Sequence, residues 1–117
     1  MSLLTKYGVF LDMQPGTVMD IDVLRSSAEE VSRLMKALSN PDRLLLLCQL
    51  AQGEKRVGEL EELVGIVQPT LSQQLGVLRN QEVVTTRKVG KNVFYSVADP
   101  ALLEVLALVY KLYCPKE

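Results

Sequence analysis

Histidine and tryptophan are both absent from the 117 residues, and aromatic residues of any kind make up only 5%. Without histidine there is no Ser-His-Asp triad, no Cys-His dyad and no imidazole ligand for a metal. Cysteine is scarce too. The two that occur, Cys48 and Cys114, lie 66 positions apart, form no CxxC pair and cannot close a four-ligand zinc site within one chain. No apolar run approaches the roughly 18–20 residues that a membrane helix needs. The opening stretch makes a poor signal peptide: it has one lysine, and its apolar run is broken by Gly8 and Asp12. A cytoplasmic protein is expected. No glycine-rich phosphate loop, paired carboxylates or cofactor motif appears, so neither an enzyme nor a bound cofactor is expected.

What is present suits one globular domain. Hydrophobic residues account for 48% and charged residues for 23%, with a formal net charge of -1. Residues 1–22 read as a flexible N-terminal arm, with a turn at Pro15-Gly16, and residues 23–117 as the domain. From Val23, apolar residues recur at three- and four-residue steps through Leu24, Val31, Leu34 and Leu38, the mark of a helix that stops before Pro41. Pro41 opens a second helix, capped by Asn40 and apolar on nearly every side from Leu44 to Cys48. A short helix over 57–64, with Leu60, Leu63 and Val64 facing inward, leads to a glycine turn at Gly65. A further helix runs from about Gln68 to Asn80 on a Leu71/Leu75/Leu78 stripe. The period then changes. Val83–Lys88 and Val93–Val97 flank Val89-Gly90-Lys91-Asn92, a hairpin signal, and Asp99-Pro100 starts a last apolar helix.

The predicted fold is therefore mainly α with a β-hairpin wing: a winged helix-turn-helix. Such a unit inserts one helix into the DNA major groove while its neighbour holds it at the backbone. The leucine stripe turns Thr70, Gln73 and Gln74 outward, with Gln68 and Ser72 near the helix start. These are neutral hydrogen-bonding groups suited to base edges. Arg87, Lys88 and Lys91 of the wing are expected on phosphates or in the minor groove, with Asn92 as a polar partner. The net charge of -1 argues against nucleic acid until it is divided along the chain. Residues 68–98 hold four basic and one acidic side chain, whereas residues 1–67 hold 7 basic and 10 acidic. The positive segment coincides with the reading helix and wing. A protein-binding module that does not touch DNA is the alternative from a different class.

Residues 38–97 resemble the ArsR/SmtB family of bacterial winged-helix repressors, and the likeness extends over about 23–114. Pro41-Asp42-Arg43 matches its Pro-x-Arg, and Val57-Gly58-Glu59-Leu60 its Val-x-Glu-Leu. Gln74 stands where the family's recognition helix carries histidine. Residues 64–79, VGIVQPTLSQQLGVLR, are close to the BigR-like, sulfide-responsive branch. The resemblance implies a homodimer joined through the first and last long helices, with Leu24/Val31/Leu38 and Leu102/Leu106/Val109/Tyr113 as interface faces. It implies an operator of double-stranded DNA with an imperfect inverted repeat. It also implies that Cys48 and Cys114 form a switch that responds to reactive sulfur species. Peroxide or disulfide stress, and soft metal or arsenite, remain as alternative inducers. With no histidine and no paired cysteines on the second helix, no metal site is expected.

Overall fold

A computed structural model describes residues 19–115, together with the backbone of Leu3–Leu4 (β1) and Phe10–Leu11 (β2), which pair antiparallel. The arm expected over 1–22 otherwise lies outside the described residues, except that helix α1 already begins at Ile21 and runs to Leu38. Asp20 caps it, accepting from the Asp22 N–H at 2.9 Å. The remaining elements are α2 (Pro41–Ala51), β3 (Lys55–Arg56), α3 (Val57–Val64), α4 (Thr70–Asn80), β4 (Val84–Val89), β5 (Asn92–Val97) and α5 (Pro100–Tyr113).

Local chemistry sets each boundary. Asn40 accepts from the Arg43 N–H at 3.1 Å, and Pro41 sits at the first helical position, where its missing N–H costs nothing. Gly65, at φ +71, ends α3 in the left-handed conformation and gives its N–H to Glu61 O. Gly90, at φ +58, makes the two-residue reversal between β4 and β5, whose register closes at Val89↔Asn92. Asp99 caps α5 through the Ala101 N–H at 2.9 Å.

The helices gather around α2. Leu46, Leu47, Leu60, Leu71, Leu75, Leu78 and Leu102 are fully buried, so the leucine stripe of α4 faces inward as its spacing predicts. Val83, Val84 and Tyr95 close the core from the sheet side. Three details differ from the sequence reading. Leu63 and Leu45 are half exposed rather than inward, so α3 and α2 each present one leucine to solvent. The wing is a three-stranded sheet in the order β3-β5-β4, because Lys55 and Arg56 pair with Tyr95 and Phe94. Glu82 takes a left-handed φ of +60 between α4 and β4, a reversal that carried no glycine signal. Among the described residues no helix is long and apolar enough to cross a membrane.

Helix α1 is the outlier. Of its eighteen residues only Ala37 is buried, and Leu24, Val31 and Met35 are exposed along one side. On α5, Leu102 and Leu106 face the chain's own core, so they are unavailable to a partner. The exposed large apolar residues of α5 are instead Leu103, Leu108, Tyr110 and Tyr113.

Candidate nucleic-acid interface

The helix-turn-helix runs through α3, Gly65 and α4. Ile66 is buried and anchors the turn, while Val67 and Gln68 are exposed beside it. Gln68 closes the start of α4: its Oε1 accepts from the Ser72 N–H at 3.1 Å and from the Ser72 hydroxyl at 2.6 Å. Two of the expected reading residues therefore hold one another and satisfy an otherwise unpaired helix N–H. Gln68 keeps its amide NH₂ for a ligand. Gln73 lies exposed, its side chain making no hydrogen bond among the described residues, the placement expected of a base-reading side chain. Thr70 is half-buried at the first turn.

Gln74 is placed differently. It is half-buried, and its Oε1 accepts from Arg43 Nη1 at 3.1 Å. Held by that bond, Gln74 is not free to swing its amide edge onto adenine as the two-point contact of an unrestrained glutamine requires.

The wing shows a similar division. Lys88, Lys91 and Asn92 are exposed, with Lys91 at the hairpin tip. Arg87 is engaged: its Nε and Nη2 donate to Glu54 at 3.1 and 2.6 Å, and its guanidinium lies 4.8 Å from the Phe94 ring centre. The Ser96 hydroxyl adds a bond to Glu54 at 3.3 Å. Arg87 thus braces the sheet against the loop before β3, which removes it from the free cations of the wing. Its hydrogen bonds, then its positive charge and the Ser96 hydroxyl, hold the Glu54 carboxyl below the usual carboxylate range. A depressed carboxyl supports the fold above its unfolded pKa and loses that support as pH falls through its folded value. Glu54→Ala should free Arg87 for phosphate, steepening the salt dependence of DNA binding by about one unit of log–log slope at neutral pH. A titration of binding against salt reads this directly, and an unchanged slope would refute the brace.

Both cysteines are free. Cys48 is half-buried on α2 and Cys114 is exposed at the end of α5. Burial raises the Cys48 thiol first, and the charge of the neighbouring Cys114 raises it further. Helices α2 and α5 pack against one another, so thiols 66 residues apart in the chain sit on neighbouring elements. No group of three or more His, Cys, Asp or Glu side chains among the described residues could hold a metal ion.

Sequence reasoning missed two residues with roles at this site. Arg43 was visible as part of Pro-x-Arg, but its partners lie 6, 7 and 31 positions away. Glu54 carried no signal, since its partner is 33 positions distant.

A two-helix reader on a buried leucine stripe, followed by a hairpin with a cationic tip, defines a winged helix-turn-helix DNA-binding regulator. The profile described as "Bacterial regulatory protein, arsR family" matches residues 40–86. The Biofilm growth-associated repressor of Xylella fastidiosa is 44% identical over 108 residues, 91% of this chain and 95% of that protein. The crystal structure of the transcriptional repressor BigR from the same organism superposes with a TM-score of 0.77 at 44% identity, covering 84% of this chain and 100% of that one. A homodimeric winged helix-turn-helix DNA-binding domain from Mycobacterium bovis, described as a possible ArsR-family regulator, superposes at 0.66 with 31% identity. That match covers 82% of this chain and 86% of that one. The chain belongs to the arsR family of bacterial regulatory proteins and is a transcriptional repressor of the ArsR type.

Proposed function

We propose that the protein acts in the cytoplasm as a homodimer that binds an imperfect inverted-repeat operator. It releases that operator when Cys48 and Cys114 react with reactive sulfur species. The observation that carries the sulfur reading is the pairing of one half-buried and one exposed thiol, each free, with the half-buried one raised by burial first and by the charge of the other second. A raised thiol is a poor attacking thiolate at neutral pH, so the exposed Cys114 begins the chemistry. Its thiolate takes the sulfane sulfur of a persulfide and releases that molecule's thiolate. Cys48 then attacks the new Cys114 persulfide, displaces hydrosulfide and closes a disulfide. Attack on a longer polysulfide leaves extra sulfur atoms in the bridge.

On DNA, Gln73 and Gln68 read base edges from the major groove while Lys88 and Lys91 neutralise phosphates. Half-sites should lie about 10–10.5 bp apart, or a multiple of that, centre to centre. The paired substitution Thr70→Ala with Gln73→Ala should relax sequence preference. Lys91→Ala should weaken binding evenly across sequences and reduce the salt slope by about one unit. Footprints that stay sequence-selective in the double variant would remove the reading role from this face. A mobility-shift assay on DNA upstream of the protein's own gene tests operator binding itself. The disulfide and the inducer are tested by mass spectrometry after polysulfide and after peroxide. Added sulfur between the cysteines supports persulfide chemistry. A loss of two hydrogens seen under peroxide alone supports the oxidant reading.

A further inference from the structure

One guanidinium joins three elements. Arg43 Nε donates to Ala37 O and its Nη2 to Lys36 O, each at 3.0 Å, at the last turn of α1. Its Nη1 donates to Gln74 Oε1 on α4 at 3.1 Å. The first two acceptors are carbonyls of the last turn of α1, and Lys36 O accepts also from the Ser39 N–H at 3.2 Å and the Ser39 hydroxyl at 2.7 Å. The third is a side chain of the reading helix. From the first turn of α2, a planar fork with fixed donor directions therefore spans the end of α1 and the middle of α4.

We propose that Arg43 is a positioning residue: through Gln74 it fixes where the reading helix stands relative to α1, and so which half-site spacing the dimer accepts. The inference rests on the reading of the protein as an operator-binding dimer joined partly through α1. In such a dimer the distance between the two reading helices depends on how each α4 is set against its own α1. Packing of the leucine stripe holds α4 against the core but leaves small rotations cheap. A directional hydrogen bond from a half-buried arginine resists them. Lysine cannot replace it, because one ammonium lacks the fork that reaches two carbonyls and an amide together.

The experiment measures affinity for three operators: the native spacing, one base pair added and one removed. Wild-type protein should prefer the native spacing clearly. Arg43→Lys and Gln74→Leu should each reduce that preference by about fivefold or more. The double variant should be no worse than Arg43→Lys alone, because that substitution already removes the contact with Gln74. Gln74→Glu keeps an acceptor for Arg43, so it should retain the spacing preference even though its added charge lowers affinity overall. Gln74→Leu removes no bond from α1, so it keeps the test open if Arg43→Lys fails to fold. Spacing preference unchanged in Gln74→Leu would overturn the inference. A wild-type protein that binds no operator would overturn the proposed function, and this inference with it.

Discussion

Val31→Glu should convert the protein to a monomer at micromolar concentration and weaken operator binding by roughly 10³-fold or more, into the non-specific range. Val31 is about half exposed on α1, in line with Leu24 and Met35, and on α5 Leu103, Tyr110 and Tyr113 are exposed. These side chains contribute nothing to the core of a single chain. Leu24, Val31 and Met35 stand seven and four residues apart, which places them on one side of α1 as an interface stripe requires. A glutamate buried in that interface would lose its hydration without gaining a partner. Because Val31 is exposed in the single chain, the core around α2 should survive, which a dispersed amide spectrum would verify. Analytical ultracentrifugation then reports the oligomeric state. A variant that stays dimeric and binds normally would move the interface elsewhere.

Cys48→Ser and Cys114→Ser should each bind operator within about twofold of wild type and yet fail to release it on treatment with polysulfide. Wild type should lose about 5–150-fold in affinity, the usual range for coupling between two sites. Serine keeps the size of cysteine and removes only the sulfur chemistry. Closing a 66-residue link removes roughly 4 kcal/mol of chain entropy from the unfolded state in the simple loop model. That figure measures constraint on the chain. Release of DNA requires in addition that the bridged form prefer a different arrangement of the two protomers. Cys114 follows the last residue of α5, next to the exposed Tyr113, so a bridge to α2 would act on the end of that helix. Normal release in both single variants would end the thiol-switch reading.

The helix-turn-helix was legible because its signals are local. The leucine spacing of α4, the glycine after α3 and the Asn40-Pro41 start of α2 each act within one turn of chain, and each sits where the sequence placed it. The reading face was only partly legible. Helical periodicity tells which residues point away from the leucine stripe, but not which of those are already engaged. Gln73 and Gln74 are adjacent glutamines, yet one is free and the other is held by an arginine 31 positions earlier. The same limit applies to Arg87, whose neutralising carboxylate comes from a loop before β3. Strand β3 was too short for any period to mark it. The assignment of Leu102 and Leu106 to an interface failed because an amphipathic helix with two apolar faces does not say which one meets its own core.

The exposure of α1 has one more consequence. Its anchors lie in the last two turns: Ala37, the half-buried Leu34 and Leu38, and the two bonds from Arg43, with the exposed Arg33–Glu82 pair at 3.8 Å adding little. The thirteen residues before Leu34 gain their stability from whatever covers them. Dilution should therefore act on this protein as a mild denaturant: its melting temperature should climb with protein concentration, and its first turns of helix should exchange amide hydrogens fastest when protomers are scarce. A cell that makes too few copies would not simply have less repressor. It would have a less folded one.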